Sequence, residues 1–207
     1  MVSQTPNIPD SSLSEDKVFE KVEAEAAFPG SETGWRNYLQ KNLDPNVPVE
    51  NGAPVGVYTV IVQFIVDKDG VISDVKALTN FGYGMEQQVI LIIQKGPKWT
   101  PAIHRGKAVR AYRKQPVTFM VRAEGFEIEM EEKYILYTGI ENIIYIHVDK
   151  LKRQDIQLRL SQGTVTENEG GSYTISVDTP GKAILSINNK KRGKEIGSVY
   201  FVVKKKK

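Results

Sequence analysis

Three small clusters in this sequence could do chemistry, and each falls short of a working set. Asp67, Asp69 and Asp74 crowd a turn in the manner of a calcium loop. An EF-hand needs further oxygen ligands and a bidentate Glu near its twelfth position, where Leu78 stands. Asp beside Gly70 suits a β-turn instead, because its side chain bonds the local backbone. Gly82-Tyr83-Gly84 precedes a helix, so its amides could cradle a phosphate. A dinucleotide fingerprint needs a third glycine, and position 87 is Gln. His104 has Arg105 beside it and no second ligand type, and His147 shares a strand face with Asp149. A zinc site needs three or four convergent ligands, and no Gly-x-Ser-x-Gly elbow or Ser/His/Asp triad can be assembled. The sequence therefore leads to no catalytic residue, no cofactor and no metal, and binding becomes the first function to consider.

The candidate contact is a six-residue run: Val109, Arg110, Ala111, Tyr112, Arg113 and Lys114. Val109, Ala111 and Arg113 alternate with Arg110, Tyr112 and Lys114, so the run mixes packing groups with cations. Pro116 follows in the same stretch and cannot donate to a ladder, which argues for a sheet edge. Cations on an edge also guard it against aggregation, so the charges serve either purpose.

The elements that must position this run are legible from periodicity. A helix is expected over Glu32–Leu43, with Ser31 as its N-cap and Trp35, Tyr38, Leu39, Asn42 and Leu43 on one face. Asn46–Pro54 is expected to be a loop. From Val55 the period becomes two, and Tyr58, Val60, Val62, Phe64 and Val66 share one face. The other face is also largely apolar, as suits a central strand. Asp67 to Gly70 forms the turn, Val71–Thr79 the returning strand, Met85–Lys95 a buried helix, and Val109–Val121 a third strand. Trp35, Tyr38 and Trp99 read as core aromatics. Beyond Arg122 come seven short candidate strands: Lys133–Tyr137, Asn142–Val148, Ile156–Ser161, Thr164–Thr166, Ser172–Val177, Lys182–Asn188 and Glu195–Val203. Such a run in about eighty residues suggests an immunoglobulin-like sandwich. The expected division is a disordered leader over 1–17, an α+β domain over 18–122, a linker over 123–132 and the sandwich over 133–205.

The 207 residues suffice for one large domain or two small ones. From Phe126 onward there are 14 Lys+Arg against 11 Asp+Glu, while the first 125 residues hold 14 of each. The terminal run Lys204–Lys207 accounts for the excess and reads as a solvated end, so no nucleic-acid partner is expected. The absence of cysteine removes disulfide and thiol chemistry. No apolar run approaches the ~20 residues of a membrane span. The first residues lack the basic and apolar regions of an intact signal peptide.

An ordered set of motifs between Val22 and Val121 resembles the C-terminal domain of the TonB energy transducers. The carriers are FPG at Phe28–Gly30, VQFIVDKDGVISDVK at Val62–Lys76, FGYG at Phe81–Gly84, PKWTPA at Pro97–Ala102, GKAVR at Gly106–Arg110 and PVTF at Pro116–Phe119. The FPG entry and the GYG pair are similar to the version found in Bacteroidetes-type bacteria. The resemblance implies a three-stranded antiparallel sheet with two helices. It also implies that Val109–Lys114 receive an extended motif of an outer-membrane transporter by strand addition. An intact transducer also carries an N-terminal membrane helix and a Pro-rich spacer, which this sequence does not show. Gln87-Gln88-Val89 stands where the family carries an acidic-plus-Ala pattern.

The stretch Lys133–Lys205 resembles a β-sandwich repeat of gliding-motility and type IX secretion proteins (GldM-like). It does so through YILYTGIENIIYIHV, the LSQGTV turn, GGSYTISV, PGKAILSI and GSVYFVVKK. That resemblance implies a periplasmic interaction module. The expected function is a non-enzymatic periplasmic adaptor whose partner is a protein, an outer-membrane transporter or a secretion component, with no small-molecule substrate. Two alternatives stand beside it. One is the C-terminal part of an energy transducer. The other is a structural subunit of a gliding or secretion assembly, in which the sandwich forms a homo-oligomer.

Overall fold

A computed structural model describes residues 17–206 of the chain. Apart from Lys17, the leader expected over 1–17 lies outside the described residues. The chain forms two compact units. The first comprises residues up to Leu43, Val60–Asn80 and Glu86–Val117, and the second Asp44–Thr59, Phe81–Met85 and residues from Thr118 on. The strands that span 56–66 and 111–121 thus contribute residues to both.

The first sheet is antiparallel, with β1 (Gly56–Val66) in the centre, β2 (Ile72–Ala77) on one side and β5 (Ala111–Val121) on the other. Val60, Val62, Phe64 and Val66 are fully buried, as the two-residue period requires of an inward face. The β1–β2 turn is held by Asp67, whose Oδ1 accepts the amides of Asp69 and Val71, both at 2.8 Å. Gly70 has φ 80°, and a Cβ there would stand 2.1 Å from the Trp99 carbonyl oxygen. Only glycine allows that approach, and it lets the Trp99 amide donate to the Gly70 carbonyl at 2.9 Å.

Trp99 in turn sits among Phe64, Phe28 and Trp35, with ring centroids 4.9, 5.6 and 5.9 Å away. Trp35 comes from helix α1 (Ser31–Asn42). This helix begins one residue before the expected start, and Ser31 does not cap it. Gly30, with φ 78°, occupies the cap position without a side-chain bond, because the Phe28-Pro29-Gly30 turn already delivers the chain. The Ser31 amide closes that turn on the Phe28 carbonyl at 2.7 Å, and the Gly34 amide then makes the first helical bond to the Gly30 carbonyl. The expected loop over 46–54 contains a single helical turn, α2 (Val47–Glu50), entered through Pro48. Helix α3 (Met85–Gln94) buries Val89, Ile92 and Ile93, and the Tyr38 hydroxyl donates to the Ile92 carbonyl at 3.0 Å.

The third strand is not continuous. It divides into β4 (Lys107–Val109) and β5, and β4 pairs with β3 (Ala102–His104). Arg105 and Gly106 turn that hairpin with φ 50° and 71°, the left-handed pair that two-residue hairpins favour.

In the second unit the expected linker, 123–132, carries β6 (Phe126–Met130), which pairs with the strand Asn142–Val148. Counting β7 as Ile135–Thr138 and β8 as Asn142–Val148, the remaining strands are β9 (Ile156–Leu160), β10 (Thr164–Glu167), β11 (Tyr173–Ser176), β12 (Gly181–Asn189) and β13 (Lys194–Lys205). They form two four-stranded sheets, in the orders β10-β11-β8-β6 and β7-β13-β12-β9. Every pairing is antiparallel except β7 with β13, which is parallel. One apolar cluster draws on both sheets, with Ile144, Ile146 and Ile175 from one and Leu185, Ile187 and Phe201 from the other.

Asn142 is a buried polar residue at the start of β8, and it is fully engaged. Its amide nitrogen donates to the carbonyls of Tyr137, Ile140 and Ile175, and its oxygen accepts the Tyr137 amide at 2.7 Å. Asn142→Ala would strand these groups away from water. It should cost about 3 kcal/mol in chemical denaturation, and a loss under about 0.5 kcal/mol would show that the turn does not depend on Asn142. The Tyr58 hydroxyl is also buried and donates to the Pro54 carbonyl at 2.5 Å. Burial first, then Tyr83 and Tyr200, pushes its pKa well above the ordinary 10.0. The folded state thus keeps a proton that the unfolded chain releases, so stability is intact below pH 10 and falls as pH rises above it. Tyr58→Phe should flatten that alkaline loss, measured as denaturation midpoints against pH; an unchanged slope would remove Tyr58 as its source.

Candidate functional site

The six residues singled out from the sequence straddle a break. Val109 ends β4, Arg110 is the break, and Ala111 to Lys114 open β5. Val109 and Ala111 are buried, Arg110, Tyr112 and Arg113 are half-buried, and Lys114 is exposed. Among the described strands β5 pairs only with β1, so it is an edge of its sheet.

The start of that edge is already in use. The Phe19 amide donates to the Arg110 carbonyl at 2.9 Å, and the Tyr112 amide donates to the Phe19 carbonyl at 3.0 Å. Together these bonds make a parallel bridge between Phe19 and Ala111. The segment continues to β3, where the Ala24 amide donates to the Ile103 carbonyl and the Ile103 amide returns the bond. It then pairs Ala27 with Thr100. Alternation places the amide of Ala111 toward β1 and those of Tyr112 and Lys114 outward. Pro116 falls on the same outward side, where its missing N–H costs nothing.

Side chains reinforce the backbone contact. The Phe19 ring lies 5.0 Å from the His104 ring, and the Lys17 ammonium sits 5.0 Å from the Phe19 centroid on its face. Arg113 pairs through Nη1 with Glu25, while its Nη2 reaches the Gln115 Oε1 at 3.3 Å. Two buried polar atoms beside this contact, Arg113 Nε and His104 Nδ1, have no hydrogen-bond partner. Tyr112 and Lys114 line an open polar groove of about 620 Å³ together with Gln63, Lys76, Glu20, Lys21 and Glu25.

The chemistry of this place is main-chain pairing flanked by one ion pair and one aromatic contact. Among the described residues, no group of three or more His, Cys, Asp and Glu converges in a way that could hold a metal ion. His147 Nε2 lies 3.9 Å from Asp149 Oδ1, with both side chains largely exposed. Gly82, Tyr83 and Gly84 have φ 82°, 55° and 77°, and a Cβ on Gly84 would stand 2.9 Å from Val47 Cγ1. That motif is a left-handed turn packed against α2. The segment 17–27 was not legible as part of the site, because its partners lie some seventy to ninety positions away; Phe19 among charged residues was its one local signal.

Residues 59–121 match the family model described as the Gram-negative bacterial TonB protein C-terminal, and residues 126–204 match the GldM third domain. The first match ends where β5 ends, and the second begins where β6 begins. No curated protein matched the chain. Among the described residues no helix is long and apolar enough to cross a membrane.

Amide hydrogen exchange checks the occupancy of the edge directly. The Tyr112 amide, bonded to Phe19, should exchange slowly, and the Lys114 amide two residues on should exchange near the unprotected rate. Equal protection at both would mean that the edge is covered along its length.

Proposed function

We propose that this chain is a non-enzymatic, periplasm-facing adaptor that holds an extended segment of a membrane or secretion protein against the edge of β5. The observation that carries this reading is the main-chain pairing of Phe19 with Arg110 and Tyr112. A segment of the chain already sits on that edge at one residue, where Phe19 makes a parallel bridge with its amide and carbonyl both used. Strand addition takes most of its affinity from such bonds, and side chains on either face supply selection.

The two family matches support the same direction. Both families are non-catalytic parts of cell-envelope proteins. The second unit supports an immunoglobulin-like reading. It has two four-stranded sheets around one apolar cluster, and β7 runs parallel to the last strand, β13. The match of 126–204 to the GldM third domain favours a second reading, a structural subunit of a gliding or secretion assembly.

Tyr112→Pro isolates the edge. It deletes an outward amide while sparing the inward amide of Ala111, so the β1–β5 pairing is kept. Capture of partners from outer-membrane extracts, identified by mass spectrometry, should fall at least about fivefold, the worth of a main-chain bond near 1 kcal/mol. A folded variant that captures the same proteins at the same yield would contradict the proposal.

A further inference from the structure

We infer that residues 17–25 are a built-in stand-in for the partner, and that a peptide with an aromatic residue at the Phe19 position and a carboxylate placed, as that of Glu25 is, to reach Arg113 competes with them for β5. The inference rests on the edge-pairing reading above and adds to it the chemistry of the partner and a gate on its access.

Four observations converge on it. The intramolecular contact is a single isolated bridge, not a ladder: Phe19 supplies two backbone bonds to β5, and the segment then leaves for β3. Beyond Tyr112 no described element other than β1 pairs with β5. A longer strand could therefore form more of the same bonds than the resident segment does. The ring of Phe19 lies 5.0 Å from the ring of His104, which favours an aromatic residue there, and the Lys17 ammonium over its face comes from the segment itself. Arg113 meets the carboxylate of Glu25, a mostly exposed side chain on the segment's own backbone. Arg113 Nε and His104 Nδ1 remain buried and unpartnered against the resident segment. A buried polar group without a partner is costly, so a strand that brings a second acceptor to Arg113 gains what the resident one lacks.

A resident occupant lowers the apparent affinity for any competitor by the fraction of molecules whose edge is free. Removing it must therefore tighten binding without any change in the edge itself.

The test uses the full chain in three forms: wild type, Phe19→Pro, and Phe19→Pro with Tyr112→Pro. Proline at 19 removes the amide that bonds Arg110, and near-UV circular dichroism confirms that the aromatic core persists. The probe is a fluorescent peptide of residues 17–27, added in trans and read by anisotropy. Phe19→Pro should bind it at least about tenfold more tightly than wild type, as expected when the edge is free in a tenth of molecules or fewer. The doubly substituted chain should lose that binding. A peptide with Ala for Phe19 and Gln for Glu25 should bind Phe19→Pro more weakly than the parent peptide. Glu25→Arg, which reverses an exposed charge without touching the backbone, gives a second opened form and should also bind the parent peptide more tightly than wild type.

Equal affinity of wild type and both opened forms, lost on adding Tyr112→Pro, would overturn the stand-in while leaving the edge as the docking site. Equal binding of the parent and altered peptides to Phe19→Pro would overturn the proposed partner chemistry. Binding to none of the forms, or undiminished binding to the doubly substituted chain, would overturn the edge reading as well.

Discussion

A strand at the border of a sheet carries amide and carbonyl groups that its own sheet leaves unpaired, and they must find water, a cover or a partner. In β5 this constraint is met in three ways along eleven residues. Phe19 takes the first outward pair, Lys114 offers a hydrated cation beside its own amide, and Pro116 has no amide to offer. The mixture of cations and proline in the sequence is the trace of that constraint. Everything proposed about function follows from the first of the three, because an edge whose outward groups accept one main-chain bridge has the geometry to accept another.

The first unit keeps that edge in place through its core. Val60, Val62, Phe64 and Val66 anchor β1, and Trp99 ties the β1–β2 turn to the aromatic cluster through the close approach at Gly70. The β3–β4 hairpin then swings the chain round at Arg105-Gly106 so that β5 begins beside the segment from Phe19. In the second unit the polar keystone is Asn142, whose side chain ties the β7–β8 turn to β11. Its placement explains why a Gly-Ile-Glu-Asn sequence opens that half. The glycine at 139 turns with φ 73°, and the asparagine then satisfies the carbonyls the turn leaves behind.

Much of this was legible because it depends on local period and turn chemistry. The alternation from Val57 to Val66, the Asp67–Gly70 turn, the buried helix after Gly84 and the bounds of β8 follow from residues next to one another. What escaped depends on distant or very short contacts. The hairpin at 102–109 has three-residue strands, too brief for a period to register. The single turn of α2 hides among prolines. Strand β6 reads as a linker because Glu127 and Glu129 within it, and Glu131 and Glu132 just after it, dominate the composition of that stretch. Yet Phe126 is buried, and Ile128 and Met130 pack on the same cluster, so the alternation was present beneath the charge. Of the candidate site, the edge position of the strand that carries Ala111–Lys114 was legible, whereas the segment that bridges it at Phe19 was not. No local pattern links Phe19 to Tyr112, and only the fold brings them together.

The most direct measurement of the central claim is a through-hydrogen-bond scalar coupling. The chain would be labelled with ¹⁵N and opened by Phe19→Pro, and the added peptide of residues 17–27 would carry ¹³C at its carbonyls. A coupling from the Tyr112 amide nitrogen to a carbonyl carbon of the added peptide is the expected result, since it reports main-chain pairing at that atom. A peptide that binds while the Tyr112 amide stays uncoupled and unshifted would contradict the account.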